Sequence, residues 1–494
     1  MLWDAFLSLL NIWVLVAAAI GIVSGIIIGA IPGLGPTMAI ALLIPATFSM
    51  QPIPAMILLL GVYQGAIFGG SISAVLLNVP GTPSSAATAI DGHALARRGE
   101  GGRALRIALY ASVFGNVFSC LVLMLLAEPL ARFALDFGPA EMTVLMLFAL
   151  QVIVLFGGAS RLDALIMVLV GVCAGVVGLD PIDGSPRFTF GSFAFEAGFQ
   201  LIPVLVGLFA MSEVFIQVFS RRSETGDPEI PDLKPARVSL LDLWRMRATL
   251  ALSSVIGTFV GILPGIGSTV PAFMSYNLAR SRSKEPETFG AGAAEGVAAP
   301  EAANNAVTGG ALVPTLALGI PGDAVTAVIL GAFMLQGLAP GPFLFKNHGV
   351  EVYAIFEALL LSSLPTVIFG LLLFRVAVHV IRIRPRHLFP AIAILAALGA
   401  FSVNNSLFDV WVMLGAGLLG FFFRRSGFPI PPLLIGLILG HPFEQSMRQA
   451  LLMSGGNLGV FVDSPIALGL LGLTGVSLAT SVLFSLREKR RVSE

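Results

Sequence analysis

The chain has 494 residues, of which 56% are hydrophobic and 11% are charged, and its formal net charge is zero. Soluble domains carry about 25% charged residues, so this composition excludes a soluble protein, and the neutral balance gives no basic surface for nucleic acid. Apolar stretches recur along the chain and predict about 10–12 membrane helices, since about 20 apolar residues cross a bilayer. We therefore expect an all-α polytopic membrane protein.

The first half of the chain interrupts its apolar runs twice with proline and glycine. The first interruption, at residues 29–38, reads GAIPGLGPTM, and the second ends residues 63–81, which read YQGAIFGGSISAVLLNVPG. Proline removes a backbone donor and glycine permits unusual dihedral angles, so both stretches predict broken helices. In hydrocarbon a break persists only where protein or water covers it. We expect residues 12–48 to form a helix–break–helix hairpin that enters and leaves on the periplasmic side.

A polar stretch at residues 221–247 is the clear linker of the chain. It contains six arginines and lysines, and residues 487–491 near the C-terminus read REKRR. Positively charged loops stay in the cytoplasm, so both segments are expected there. The sequence thus predicts a first membrane repeat with the helices that follow it (1–220), the linker (221–247), a second, inverted repeat (248–350) and C-terminal membrane helices (351–494).

The second half repeats both interruptions in the same order. Residues 261–270 read GILPGIGSTV, and residues 303–322 read ANNAVTGGALVPTLALGIPG. These stretches follow their counterparts by 232 and about 241 residues. Basic residues at 245–247 and at 280–284 flank the first of them, which predicts a second hairpin that enters and leaves on the cytoplasmic side.

Positive charge alternates between equivalent loops of the two halves. Residues 96–106 contain four arginines, whereas their counterpart at 335–347 contains one lysine. Conversely, residues 47–54 carry no charge, whereas their counterpart at 279–287 carries three positive residues. This alternation indicates inverted repeats, which is the usual plan of secondary transporters.

The breaks are the predicted binding site. A half-helix that begins at a break points its N–H groups and positive dipole end there, which suits an anion, and one that ends there offers carbonyls to Na⁺. Glycines four residues apart, such as Gly21, Gly25 and Gly29, are expected instead to let helices pack closely. With the hydroxyls beside the breaks, the predicted substrate-binding residues are Gly33, Gly35, Thr37, Asn78, Gly81, Thr82, Ser84, Gly265, Gly267, Ser268, Thr269 and Gly322.

Polar and ionisable side chains within apolar segments are costly in lipid and indicate function. The candidates for coupling transport to an ion are Gln64, Glu295, Glu301, Asn304, Asn305 and Asp323. For Glu295 and Glu301, carrying a proton or cation and lying in a wet entrance are equal alternatives. Asp323 follows a Pro-Gly turn, where an aspartate is an ordinary helix N-cap, and that interpretation is favoured.

No pattern of catalytic or metal-binding residues stands out. The motifs GxSxG, HExxH and GxxxxGK[ST] are missing, and the five histidines have no metal spacing. We expect no catalytic residues, no metal and no cofactor, so the energy for transport would come from an ion gradient or another subunit. Cys120 and Cys173 are interpreted as small core residues.

These motifs resemble the large membrane subunit of the bacterial tripartite tricarboxylate transporters. The resemblance rests on PGLGPTMAIALLIP, on YQGAIFGGSISAVLLNVPGTPSSAATAIDGHALARRGEGGRAL and on GILPGIGSTV with EAANNAVTGGALVPTLALGIPGDAV. It covers much of residues 20–107 and 257–342. The long Pro-Gly runs with EAANNAVTGG make it specific.

The resemblance implies a multi-pass protein of the bacterial inner membrane. Its partners would be a small four-helix membrane subunit and a periplasmic solute-binding protein that delivers substrate. The substrates would be small carboxylates, such as di- and tricarboxylates, and uptake would be driven by Na⁺ or H⁺ rather than by ATP.

Two other functions are compatible with parts of the pattern. A passive anion channel could be lined by the same breaks, but it would conduct without coupling. A membrane-embedded enzyme would need a nucleophile with a base or a metal, and Ser268, with no nearby histidine or lysine in the sequence, is a poor candidate. An ion-coupled carboxylate importer is the favoured hypothesis.

Overall fold

The structure is a computed structural model that describes residues 2–157, 160–219, 238–381 and 385–493. Most of the predicted linker lies outside the described residues. Within them the chain is almost entirely helical, which confirms the all-α prediction. Among the described residues, seven helical spans are long and apolar enough to cross a membrane, and five shorter apolar helices accompany them.

The helices of the first half, in chain order, are α1 (Leu2–Leu9), α2 (Ile12–Gly29), α3 (Pro36–Leu43), α4 (Pro52–Leu77), α5 (Ser85–Leu95), α6 (Gly101–Ala134), α7 (Pro139–Phe156), α8 (Arg161–Gly175), α9 (Leu201–Val206) and α10 (Ser212–Phe219). Two short antiparallel strands, β1 (Gly178–Leu179) and β2 (Pro186–Arg187), lie between α8 and α9. Two π-helical segments, Ala96–Glu100 and Gly207–Met211, precede α6 and α10.

The helices of the second half are α11 (Leu240–Arg245), α12 (Arg247–Ile262), α13 (Thr269–Arg282), α14 (Ala294–Leu318), α15 (Ala324–Leu335), α16 (Leu344–Asn347), α17 (Gly349–Leu361), α18 (Ser363–Ile381), α19 (Pro385–Asn404), α20 (Leu407–Arg425), α21 (Ile430–Met453), α22 (Val460–Asp463) and α23 (Pro465–Ser493).

The chain forms two compact units that combine separated segments. The first contains Met1–Ala131, Ile202–Ile262 and Gly267–Phe421, and the second contains Arg132–Leu201, Leu263–Ile266 and Phe422–Glu494. The divisions predicted from the sequence follow chain order instead. Most of both repeats therefore lies in the first unit.

In the first repeat, helices α2 and α4 lie in close backbone contact. A Cβ placed on Gly21, Gly25 or Gly29 would lie 2.3 to 2.5 Å from a carbonyl oxygen of α4, so only glycine permits this approach. Gly21 approaches the carbonyl of Leu58, Gly25 that of Val62 and Gly29 that of Ala66. The contacts advance in step, so α2 and α4 run parallel, and α3 with the residues around it must bring the chain back. The predicted packing role of these glycines is confirmed.

The second repeat has the same arrangement. Gly257 meets Ala303 and Gly261 meets Val307, so α12 and α14 also run parallel. Residues from the start of α12 and the end of α13 line one cavity, which makes these two helices antiparallel neighbours. At 1.5 Å per residue α12 is about 24 Å long, less than the roughly 30 Å of a hydrocarbon core. This is the geometry expected of the hairpin.

The equivalent helices α4 and α14 run antiparallel to each other. The Ser71 hydroxyl on α4 donates to Glu301 of α14 at 2.5 Å. Eight residues earlier on α4, the Tyr63 hydroxyl donates to Asp323, which lies beyond the end of α14, at 2.9 Å. Opposed directions of equivalent helices are what an inverted repeat requires.

In the second unit, helices α8 and α21 pack parallel to each other. Ion pairs lie beyond the end of α8 and in the C-terminal half of α21. The Arg187 guanidinium donates to both carboxylate oxygens of Glu444, at 2.6 and 3.1 Å. Arg448 donates to the Asp180 carboxylate. Among the cysteines, Cys120 is buried as predicted, whereas Cys173 on α8 is exposed, so its interpretation as a core residue is wrong.

The Asp180 carboxylate should make the stability of this unit depend on acid pH. The Ile182 N–H and then the Arg448 guanidinium lower the pKa of Asp180 from 3.8 to about 2. Its stabilising contribution is therefore complete above the ordinary pKa and is lost as the pH falls through the lowered one. We expect the midpoint temperature of unfolding to decrease as the pH is lowered from about 3.8 to about 2. Asp180→Asn should remove this part of the pH dependence. An unchanged pH profile in Asp180→Asn would contradict the assignment.

Candidate functional site

Both PGxG sequences interrupt helices. After α2 the chain turns through Gly33, whose φ is 91°, before Gly35 caps α3. After α12 it turns through Gly265 and Gly267, with φ of 79° and 68°, before Ser268 caps α13. A positive φ is costly for residues with a Cβ, which explains why glycines occupy these turns.

The later interruptions end α4 and α14 in the same way. Each helix stops at a residue in the left-handed conformation, Asn78 with φ of 56° and Gly319 with φ of 71°. Such a residue is a common helix C-cap. Asn78 is exposed, whereas Gly81 and Gly322 are buried.

The two interruptions of the first repeat lie together. The Gly81 N–H donates to the Gly70 carbonyl at 3.1 Å, and a Cβ on Gly81 would lie 2.4 Å from the carbonyl oxygen of Gly29. In the second repeat, a Cβ on Gly322 would lie 2.6 Å from the Cα of Ala311. The Ala311 N–H also lies 3.3 Å from the position of a Cβ on Gly261. In each repeat the fold therefore brings the two interruptions close together, although they are tens of residues apart in the chain.

The predicted hydroxyls divide into two groups. Thr82 and Ser84 are buried, and their hydroxyls are 3.2 Å apart. Both are used locally, since the neighbouring Ser85 Oγ also donates to the Thr82 carbonyl at 2.8 Å. Thr37, Ser268 and Thr269 are half-buried beside the PGxG turns. The second group is therefore better placed to contact a solute.

Glu213 is a site residue that the sequence analysis missed. This side chain on α10 is 7% exposed, and its Oε1 lies 3.3 Å from the position of a Cβ on Gly33. Gln217 Nε2 donates to the same oxygen at 3.0 Å. An acidic side chain beside this break makes it less suited than the second break to an anionic substrate. A glutamate inside the apolar stretch of residues 201–219 was the available signal.

Glu301 lies at a junction of four helices and is completely buried. Its carboxylate accepts hydrogen bonds from Ser71 of α4, Thr88 of α5 and Ser112 of α6. Asn304 Nδ2 lies 3.4 Å from Oε1. This burial favours the functional alternative over a wet entrance for Glu301.

Glu295 is half-buried and lines a cavity of about 1420 Å³ at the open end of the α12–α13 hairpin. Basic side chains, including Arg98, Arg245 and Arg282, line the same cavity. The location agrees with a wet entrance for Glu295. The charge rule predicts that this side is cytoplasmic.

The other coupling candidates have separate structural partners. Asp323 caps α15 by accepting from the Thr326 N–H at 2.7 Å, as the cap interpretation predicted. Gln64 Oε1 accepts from the Ser362 hydroxyl at 2.5 Å. Asn305 Nδ2 donates to Asn304 Oδ1 at 2.6 Å.

Asp91 is a second residue that the sequence analysis missed. It is completely buried on α5, and its Oδ1 accepts from the N–H groups of Gly290, Gly292 and Ala293 at 2.7 to 2.8 Å. Its Oδ2 accepts from the Tyr276 hydroxyl of α13 at 2.8 Å. Asp91 thus ties the first repeat to the loop that joins α13 and α14.

Broken helices arranged in two antiparallel repeats, with polar groups at the breaks, define a polytopic membrane transporter. The model of the Tripartite tricarboxylate transporter TctA family matches residues 15–435. The chain belongs to this family. The family is one of transporters, and the resemblance seen in the sequence is confirmed.

Two proteins of Agrobacterium vitis are similar to the chain. The one described as "Uncharacterized 52.8 kDa protein in TAR-I ttuC' 3'region" is 40% identical over 473 residues, which cover 95% of this chain and 93% of that protein. The one described as "Uncharacterized protein in TAR-II ttuC' 3'region" is 42% identical over 234 residues, which cover 47% of this chain and 97% of that protein. No solved structure matches the chain.

Proposed function

We propose that the chain is the large permease subunit of a secondary transporter that imports small carboxylates across the bacterial inner membrane by alternating access. A periplasmic solute-binding protein delivers the substrate, a small four-helix membrane subunit completes the complex, and a Na⁺ or H⁺ gradient supplies the energy. The observation that carries the proposal is the pairing of chain breaks within two antiparallel repeats. Family membership supports it.

The chemistry of the second PGxG turn supports a carboxylate as substrate. Helix α13 begins there, and its first N–H groups with the hydroxyls of Ser268 and Thr269 suit an anion. The first turn faces the Glu213 carboxylate instead. We therefore place the substrate carboxylate at the second turn rather than at the first.

The turns contain no arginine that could bind a carboxylate through two hydrogen bonds. Backbone N–H groups and hydroxyls bind more weakly than a guanidinium does. Weak binding in the permease is compatible with a separate binding protein that supplies the affinity. This division of labour supports the proposed complex without selecting one acid.

Reconstitution tests the function. The chain and its small partner are placed in proteoliposomes, the cognate binding protein is added, and labelled citrate and a panel of mono-, di- and tricarboxylates are offered under an imposed Na⁺ or H⁺ gradient. We expect one acid to accumulate above its external concentration under one gradient. Gly265→Leu should abolish uptake, because its φ is 79° and its Cβ would lie 2.3 Å from Ile153.

Gly415→Leu is the matched control, since among the described residues nothing beyond its own helix backbone and chain neighbours lies within 4 Å of a Cβ at that exposed position of α20. The control should insert and transport normally. Downhill flux that ignores both gradients would support the anion channel and overturn the importer. Conversion of a carboxylate into another compound would indicate an enzyme.

A further inference from the structure

Three hydroxyl groups from three different helices donate to the Glu301 carboxylate, and the Asn304 amide of its own helix lies beside them. Ser71 donates to Oε1 at 2.5 Å, Ser112 donates to Oε2 at 2.9 Å, and Thr88 donates to Oε1. All three hydroxyl residues are at most 2% exposed. Glu301 and these three hydroxyls are called the carboxyl cluster below.

The carboxyl cluster spans one of the chain breaks. Ser71 lies on α4 seven residues before Asn78, and Thr88 lies in the first turn of α5 after the break. Glu301 therefore holds both sides of the break at residues 78–84 from the opposite repeat. A change in its charge acts directly on the two helices that frame this break.

The carboxyl cluster can satisfy both protonation states of Glu301. A hydroxyl can donate one hydrogen bond and accept others, so the three hydroxyls can donate to a carboxylate, and one can rotate to accept from a carboxylic acid. Asn304 presents its N–H groups to Glu301, because its Oδ1 accepts from Asn305 at 2.6 Å. The amide oxygen of Asn304, which could otherwise be a ligand for Na⁺, is therefore already used by Asn305.

We propose that the carboxyl cluster is the proton-binding site that couples carboxylate import to the H⁺ gradient. This inference rests on the proposed function and names its coupling ion. A proton from periplasmic water forms an O–H bond with the Glu301 carboxylate. That proton comes from a hydronium ion, whose O–H bond breaks and leaves a water molecule. On the cytoplasmic side the O–H bond of the Glu301 carboxylic acid breaks, and the proton joins a water molecule to form hydronium again. Neutralisation of Glu301 weakens its hydrogen bonds to Ser71 of α4 and Thr88 of α5. The two helices on either side of this break can then move relative to each other.

Other titratable groups lie on the elements packed around Glu301, and several have partners of their own. Tyr63 donates to Asp323, and Asp91 is bound by Tyr276 and the loop before α14. His93 Nδ1 lies 3.1 Å from the Val75 carbonyl. The charged and titratable groups on these elements are Tyr63 on α4, Asp91 and His93 on α5, Arg103, Arg106, Tyr110, Cys120, Glu128 and Arg132 on α6, Arg247 on α12, Tyr276, Arg280 and Arg282 on α13, and Glu295 on α14.

Glu301→Gln tests the proposal, because glutamine keeps the size and hydrogen bonds of the neutral acid and cannot release a proton. Wild-type proteoliposomes under a gradient of about one pH unit should accumulate carboxylate about tenfold per coupled proton. Glu301→Gln should lower this ratio to about one and abolish the carboxylate-dependent proton entry that an internal pH dye reports. Exchange of labelled for unlabelled carboxylate at equal pH should continue. Glu351→Gln on α17, a glutamate that belongs neither to the carboxyl cluster nor to the predicted site, is the matched control and should keep full coupling.

Ser112→Ala gives a second readout in a milder variant. It removes one hydrogen bond from the charged form, so the pH midpoint of uptake should move by about one unit. Proton-coupled uptake in Glu301→Gln, or accumulation driven by Na⁺ without a pH gradient, would contradict the proton-binding role of Glu301. Neither result would contradict the proposal that the protein imports carboxylates. A wild-type protein that neither exchanges nor accumulates any carboxylate would overturn the proposed function itself.

Discussion

Asp91→Ala is expected to lower the free energy of unfolding by about 4 kcal/mol or more, since each buried donor that loses its acceptor costs about 1–3 kcal/mol. Three backbone N–H groups and the Tyr276 hydroxyl would lose their acceptor together. The rate of transport should also fall strongly, because the affected loop leads into α14, the helix that carries Glu301. Chemical denaturation and thermal unfolding of the purified protein in detergent measure the change.

A milder variant and a control variant accompany this prediction. Asp91→Asn retains one oxygen for the loop N–H groups and should lose less stability than Asp91→Ala. Glu287→Ala changes an exposed side chain of the same loop and should have little effect. Equal stability of Asp91→Ala and Glu287→Ala would show that the Asp91 contacts do not hold the loop.

Gly81→Ala is expected to reduce transport more than tenfold and to destabilise the fold by about 3 kcal/mol, as overpacking of a tight core does. Its Cβ would lie 2.4 Å from the Gly29 carbonyl oxygen and 2.7 Å from the Gly70 Cα. Both neighbours are backbone atoms and cannot rotate away. The two interruptions of the first repeat would therefore be forced apart.

Gly415→Ala on α20 is the matched control, because it adds the same Cβ outside the predicted site. Among the described residues, nothing beyond its own helix backbone and chain neighbours lies within 4 Å of that Cβ position. Uptake rates and unfolding temperatures of the two variants, measured side by side, give the comparison. If both variants transported equally well, close contact between the interruptions would not matter for function.

The sequence predicted the features that depend on local chemistry. Proline and glycine mark broken helices wherever they occur in apolar stretches, and the spacing of Gly21, Gly25 and Gly29 specifies a helix-packing surface. Asp323 could be identified as a cap because capping depends on residues only three positions apart. The family could be identified because its motifs are long and contiguous.

Contacts between distant segments could not be predicted in the same way. Glu213 and Gly33 are 180 positions apart in the chain, and no local pattern indicates that α10 brings its carboxylate to the first break. Asp91 accepts from residues about 200 positions away. Thr82 and Ser84 were predicted to bind substrate, but the structure shows that local hydrogen bonding already uses them, which depends on the turn geometry.

Protection of a thiol at position 268 by substrate tests the central claim, that the second PGxG turn binds the transported carboxylate. Ser268→Cys and the control Ser281→Cys, exposed at the far end of α13, are made with Cys173→Ser, while Cys120 is buried. The rate of modification by a water-soluble thiol reagent is measured in reconstituted protein with and without each carboxylate of the panel. The acid that is taken up is expected to slow modification at position 268 and not at position 281. Equal rates at position 268 with and without an acid that is demonstrably transported would contradict it.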